Sequence, residues 1–241
     1  MRPEPTVVAE QAVWAAEDSL AYYSTHRQRP EDLYPSERFF LPNAVREATS
    51  CLDIGCAAGG FSRIMKAFNP TLTYTGVDIT PAFIERARGA FPDSRFEVGD
   101  GLHFSTPPNS YDLVFSSGML HLNSQYRDIV RAAYGQTRHL LICDFRLTFG
   151  PAVTGRCRVD FDGRSAAGAV RTLPYFVLNV EELVADLQSL DPPPRALTLR
   201  GYAHAPAETA ELPLSTVLMA FVRLEKGRPG ETTAVTIDLP H

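Results

Sequence analysis

The stretch Cys51-Leu52-Asp53-Ile54-Gly55-Cys56-Ala57-Ala58-Gly59-Gly60 runs from a short apolar segment straight into a glycine-rich turn. Cys51 to Ile54 suits a buried parallel strand, and the glycines let backbone approach a ligand where a Cβ would collide. Phe61, Ile64, Met65 and Phe68 then fall at i, i+3, i+4 and i+7, which predicts a helix ending near Asn69-Pro70. Leu72 to Val77 predicts a second strand, closed by Asp78. The 25 positions from Asp53 to Asp78 are the length of one strand–helix–strand unit. That spacing places both carboxylates near the carboxyl edge of a parallel sheet, where ligands bind. A carboxylate there can accept both hydroxyls of a ribose.

A dinucleotide enzyme uses the same unit, so the glycine pattern matters. Its fingerprint is G-x-G-x-x-G, whose later glycine lets a helix N-terminus meet a pyrophosphate. Here the pattern is Gly55-x-Ala57-x-Gly59, with Asp53 two residues ahead of it. A carboxylate beside the loop repels phosphate and favours an ammonium or sulfonium group. An NAD(P)-dependent oxidoreductase is the alternative that this departure disfavours. A non-catalytic nucleoside-binding protein is a second alternative.

At these residues the chain resembles the class I S-adenosylmethionine-dependent methyltransferases, whose first motif is an acidic residue followed by G-x-G-x-G. Ala57 stands where that motif has its middle glycine. The resemblance runs from about Thr49 to Cys143. It implies a Rossmann-like α/β fold: a seven-stranded, mostly parallel sheet with a reversed last strand and helices on both faces. It also implies S-adenosyl-L-methionine as cofactor and S-adenosyl-L-homocysteine as product. The cofactor contacts it implies are Asp53, Gly55, Cys56, Ala57 and Gly59 in the first motif, with Asp78 and Ile79 at the ribose. Arg95 to Leu102 reads as a third strand ending in Gly99-Asp100, so Asp100, Gly101 and Leu102 are expected at the adenine, with His103 beside them. Tyr111 to Leu122 reads as the fourth strand and its exit loop, which brings Ser116 towards the methyl donor.

The remaining chain divides into expected segments within one domain. Residues 1–48 form an N-terminal helical cap, with helices predicted over Gln11 to Tyr23 and Ser36 to Thr49 and a polar connection from Arg27 to Tyr34. Tyr22, Tyr23, Tyr34 and Arg38 in that cap are candidates to close over the donor's methionine part. Residues 49–144 form the cofactor half; Pro81 after Thr80 starts one helix, Ser124 is expected to cap the next, and His139 to Asp144 is the fifth strand. Residues 145–178 are longer than an ordinary connection and are expected to be an inserted substrate lid. Thr154 to Phe161 alternates like a strand, Asp162-Gly163 is a hairpin signal, and Arg164 begins the return. Residues 179–225 contribute a helix capped by Asn179, with Glu182 three residues on, and a strand pair over Ala196 to Ala203 and Ser215 to Leu224. Residues 226–241 fit either an edge strand or a tail.

With 241 residues, 44% of them hydrophobic, the chain can bury one sizeable α/β core, and its net charge of −5 gives no general attraction to nucleic acid. The loop after the fourth strand reads Ser116-Ser117-Gly118-Met119. Nucleic-acid amino methyltransferases usually carry (Asp/Asn)-Pro-Pro-(Tyr/Phe) there. A small-molecule acceptor is therefore expected, with no nucleic-acid or membrane partner, in a cytoplasmic monomer or homodimer. Cys51, Cys56, Cys143 and Cys157 have no metal-ligand spacing, so reduced thiols and no metal site are expected.

Methyl transfer from a sulfonium is an in-line displacement, and most of its catalysis can come from alignment. An oxygen acceptor is the first expectation, and a hydroxyl would need its proton removed. His121 is the first candidate base, since imidazole titrates near neutrality; it reads equally as a structural histidine. Asp144, ending the fifth strand, is base or structural carboxylate, while His204 and Asp160 are weaker candidates. Arg146, Arg156, Arg158, Arg164 and Arg171 suit a carboxylated or phosphorylated acceptor.

Overall fold

Alternate residues of a buried strand point to opposite faces, so a two-sided apolar strand needs cover on both sides. The computed structural model describes residues 12–159 and 171–240. The cap is α1 (Glu17–Thr25) and α2 (Pro35–Glu47), joined through a 3-10 turn at Pro30–Asp32. The cofactor half follows as β1 (Ser50–Ile54), α3 (Gly60–Phe68), β2 (Thr73–Asp78), α4 (Pro81–Ala90), β3 (Arg95–Val98), β4 (Tyr111–Ser116), α5 (Tyr126–Gln136) and β5 (Thr137–Thr148). Then come β6 (Val153–Arg158), β7 (Thr172–Asn179), α6 (Val180–Gln188), β8 (Ala196–His204), β9 (Ala210–Glu211), β10 (Val217–Glu225) and β11 (Ala234–Asp238).

The main sheet runs β3-β2-β1-β4-β5-β10-β8-β11. The first five of these strands pair in parallel, β10 runs against both β5 and β8, and β11 returns parallel to β8. Leu52 and Ile54 pack with Ile129 and Val130 of α5 and Leu183 and Leu187 of α6 on one face. Cys51 packs with Leu41 of α2, Ile64 and Met65 of α3 and Ile84 of α4 on the other. The order of motifs along the chain thus becomes an order of positions across one sheet, with the reversed strand in place. One strand exceeds the expected seven. The final segment, open between edge strand and tail, supplies β11, whose residues are all exposed.

Several boundaries differ from expectation for local reasons. Residues 12–14 are helical as expected, but the helix breaks at an extended Ala16 and resumes at Glu17, with Glu17 and Asp18 in the first turn of α1, where carboxylates suit the helix dipole. Ser124 does not cap α5; the N-cap is Gln125, whose N–H donates to Asn123 Oδ1 at 2.8 Å. Asn179 does cap α6, accepting from Glu182 N at 3.0 Å. The fifth strand continues beyond Asp144 to Thr148 because Phe145 and Leu147 stay buried and pair with Ala220 and Leu218 of β10.

That extension carries the chain out of the main sheet. Leu147 and Thr148 pair with Leu178 and Asn179 of β7, and β7, β6 and β9 make a small second sheet over the first. Asp160, Phe161, the Asp162-Gly163 turn and Arg164 lie outside the described residues. Arg171 reaches back to the cap, donating to Asp18 Oδ2 at 2.5 Å and Val13 O at 3.0 Å. Val13, Val159 and Leu173 pack together beneath this pair. Cap and hairpin thereby form one roof over the carboxyl edge of the sheet. All four cysteines are buried free thiols. Among the described residues no helix is long and apolar enough to cross a membrane, and no cluster of three or more His, Cys, Asp or Glu could hold a metal ion.

Candidate active site

Because β3, β2, β1, β4 and β5 are neighbours in a parallel array, the loops leaving them line one trough in that order. Under the roof this trough forms an open cavity of about 360 Å³. Gly55, Cys56, Ala57, Asp78, Ile79, Asp100, Gly101 and Tyr22 of the expected cofactor set line it, as do His121 and Asp144. Asp53, Gly59, Leu102, Ser116 and Arg38 do not.

The β1 turn keeps its shape without the middle glycine. Gly55, Ala57 and Gly59 all have positive φ, at 78°, 46° and 84°. A Cβ on Gly55 would sit 2.6 Å from Met119 Sδ, so the close approach of the β4 exit loop requires glycine there. Ala57 turns its N–H to Asp78 Oδ2 at 2.9 Å, while Thr80 N donates to Asp78 Oδ1 at 2.9 Å. Burial raises the Asp78 pKa, and these two backbone donors work against that rise. Asp100 accepts from Leu102 N at 2.8 Å and His103 N at 3.0 Å, and meets His103 Nδ1 at 2.7 Å. Burial pushes its pKa up, but the His103 and backbone hydrogen bonds outweigh burial and hold the carboxyl below its ordinary range. Leu102 itself packs against the core, Gly59 begins α3 against Phe91 and Phe96, and Ser116 is buried beneath the loop.

The cap presents Tyr22, Tyr23, His26, Arg27 and Tyr34 to the cavity. Arg38 is exposed and folds back on its own approach, donating to Glu31 O at 2.9 Å and Leu33 O at 3.3 Å. Arg27 takes the place expected of it. Its guanidinium lies 4.4 Å from the Tyr34 ring centroid and 4.7 Å from that of Phe61, is paired with the buried Glu37, and reaches Ser117 Oγ at 3.5 Å. Its Nε is buried without a partner. No sequence signal joins Arg27 to this site, since Glu37 reads as the N3 acid of α2, accepting from Tyr34 N at 2.8 Å.

At the β4–β5 end, Asp144 accepts from Gly118 N at 2.7 Å through Oδ1 and from Arg146 Nη1 at 2.7 Å through Oδ2. Both its oxygens are engaged, the environment of a structural carboxylate. His121 lies in a 3-10 turn at Leu120–Leu122, edge-on to Tyr175 at 5.1 Å, with Nδ1 buried and unpartnered. Burial first, then the Arg146 charge, drives its pKa well below the ordinary value, so the ring is neutral. His26 is held down to about 4 by burial and by the adjacent Arg27. Of the five arginines considered for the acceptor, Arg146 alone among the described ones lines the cavity. Arg171 binds the cap, Arg158 faces Glu211 at 3.7 Å, and Arg156 is exposed. His204 is exposed and lies off the cavity wall.

Residues 51–140 match the family described as Methyltransferase domain. That match spans β1 to the start of β5, the part of the chain that holds the acid-bearing loop. The fold is the Rossmann-like one of the class I S-adenosylmethionine-dependent methyltransferases, and residues 51–140 are similar to a methyltransferase domain. A trans-aconitate 2-methyltransferase of Enterobacter sp. (strain 638) is 31% identical over 98 residues, which are 41% of this chain and 36% of that protein. The chain spans 27% of an Escherichia coli trans-aconitate 2-methyltransferase and 22% of a Synechocystis 2-methyl-6-phytyl-1,4-hydroquinone methyltransferase. A Haemonchus contortus phosphoethanolamine N-methyltransferase, solved with phosphomonomethylethanolamine and S-adenosylhomocysteine, superposes with a TM-score of 0.62 at 12% identity over 91% of this chain and 60% of its own. The [4+2]-cyclase SpnF superposes at 0.57 and 12% identity over 94% and 98%. The fold is shared, and a cyclase shares it, so the site has to carry the functional argument.

One residue of the methyltransferase domain's first motif is buried behind the cavity wall. Asp53 lies under the loop with the Tyr74 hydroxyl donating to Oδ2, and burial, set against that hydrogen bond, raises its pKa to about 7. The native state therefore holds a proton that an unfolded aspartate, with its value of 3.8, has released. The resulting stability is fully present below pH 3.8 and is lost as pH rises through about 7. Asp53→Asn keeps an acceptor for Tyr74 and removes the titration. Melts of the ligand-free proteins at pH 5.5 and pH 8 are expected to show wild type losing about 2 kcal/mol relative to the variant over that interval. Parallel pH curves for the two proteins would show that Asp53 titrates normally. Taking the difference cancels other groups, including His121, whose lowered pKa costs stability in the opposite sense as pH falls below 6.5.

Proposed function

We propose that this chain transfers a methyl group from S-adenosylmethionine to an oxygen of a small-molecule acceptor. The observation that carries the reading is Asp78, ending β2 at the cavity and locked to the β1 turn through Ala57 N. Free lone pairs of that carboxylate suit a ribose diol. Asp100 and Gly101 on the β3 side suit the adenine, and Arg27, with its unpartnered buried Nε, suits the carboxylate of the methionine part. The bound donor supplies a methyl carbon already activated by the adjoining sulfonium.

The cap and hairpin exclude water from the donor and hold an acceptor against the β4–β5 end, where alignment supplies most of the rate. The wall there is made of Gly118, His121, Asp144 and Arg146. Asp144 is already paired with Arg146 and Gly118 N, and the guanidinium beside it suits an anionic oxygen acceptor better than a protonated amine. The methyltransferase names among the curated relatives support a small-molecule acceptor.

Calorimetric titration of the protein with S-adenosylhomocysteine and, separately, with NAD and NADP tests the reading. Heat with S-adenosylhomocysteine alone is expected. Heat with only a nicotinamide cofactor would overturn it.

A further inference from the structure

The acceptor end of the cavity has an unusual balance of groups. Two guanidiniums, Arg27 and Arg146, reach its wall, and each is backed by a carboxylate: Glu37, fully buried behind the wall, and Asp144. Arg146 is itself buried. It spends Nη1 on Asp144 at 2.7 Å, and the Tyr175 hydroxyl of β7 is coupled to the same guanidinium. A guanidinium carries five donors, so both arginines keep donors in reserve behind their ion pairs. The arginines disfavour proton uptake at this end. Asp144 is already held by Gly118 N and Arg146, and burial beside the arginines disfavours protonation of His26 and His121.

We infer that the acceptor is a carboxylic acid, bound as its carboxylate by Arg146, and that the product is a methyl ester. The inference rests on the methyl-transfer reading above. A lone pair of the carboxylate oxygen forms the new O–C bond, the C–S bond breaks, and its electron pair stays on sulfur. A cationic sulfonium and an anionic carboxylate become a neutral thioether and a neutral ester. No proton moves, so no base is required. Charge disappears along the reaction, and a partly buried cavity, less polar than water, favours that over reaction in solvent. Arg146 supplies the planar fork that matches a carboxylate, while its bond to Asp144 fixes the plane of that fork.

The test begins with S-adenosylhomocysteine binding alone; its failure would overturn methyl transfer itself before any acid is added. The saturated protein is then titrated with mono-, di- and tricarboxylic acids and with their carboxamides. Acids are expected to bind and amides not. Arg146→Gln should weaken acid binding by about 10- to 150-fold, the range for a hydrogen bond to a charged group. Arg146→Lys keeps a cation beside Asp144 and so guards against misfolding; it should retain S-adenosylhomocysteine binding and still lose acid affinity through loss of the fork. Turnover with methyl-labelled donor should place label in a product that alkali converts to volatile methanol. Absence of binding by every acid, equal affinity for acid and amide, or acid affinity untouched by Arg146→Gln would overturn the assignment. So would an alkali-stable methyl product on a phenol, alcohol or amine, which would leave the methyl-transfer reading standing.

Discussion

Asp144→Ala is expected to cost about 3–5 kcal/mol of stability, the range for breaking a buried ion pair by removing one partner. Asp144 is 2% exposed and the Arg146 side chain 10%, so neither charge has water to fall back on. Removing the carboxylate leaves a guanidinium buried without a counter-ion and Gly118 N–H without its acceptor at 2.7 Å. For a chain of this length the loss corresponds to a fall in melting temperature of about 6–20 °C. The double variant Asp144→Leu with Arg146→Met removes both charges together and is expected to recover much of the stability, because desolvation is then no longer incurred. It should not recover methyl transfer. Chemical unfolding of the two variants beside wild type checks this, and a loss under about 1 kcal/mol for Asp144→Ala would mean that the pair is solvated in solution.

Asp78→Ala should weaken S-adenosylhomocysteine binding by about 1.5–3 kcal/mol, or roughly 10- to 150-fold. Two effects combine. The ribose hydroxyls lose a charged acceptor, and Ala57 N and Thr80 N, both at 2.9 Å from the carboxylate, lose the group that fixes the β1 turn against the start of α4. Asp78→Asn separates them, since the amide oxygen accepts one backbone donor but the charge is gone. Calorimetry on Asp78→Ala with unchanged affinity would remove Asp78 from the site and with it the main support for an adenosine-containing donor.

The central architecture was legible because each of its elements is specified locally. Apolar runs of strand length, an i, i+3, i+4, i+7 face and a glycine turn placed β1, α3 and β2 within a residue or two, and Asp78 follows from where the second strand ends. Arg27 was not legible. It sits in a short polar connection, and its ion-pair partner Glu37 has a sufficient local explanation as the N3 acid of α2. The path of the hairpin was only partly legible, because β5 passes from one sheet to another at Leu147 while its pattern of inward residues continues unbroken. Among the arginines that follow β5, composition could not separate Arg146 from Arg156; alternation along a strand that continued to Thr148 would have, since Asp144 and Arg146 share a face.

Ala57 has a further consequence. Holding an alanine at φ 46° costs about 1–2 kcal/mol against an ordinary backbone, and glycine would remove that strain. Glycine would also give the unfolded chain more states to lose, worth about 0.4–1 kcal/mol in the opposite sense. The strain term is the larger, so the exchange favours glycine by about 1 kcal/mol, provided that the N–H still meets Asp78. The turn is therefore defined by a dihedral angle and not by a letter. A search that scores glycines undervalues a chain like this one, whereas a search that scores left-handed backbone between a strand and a helix would weigh it in full.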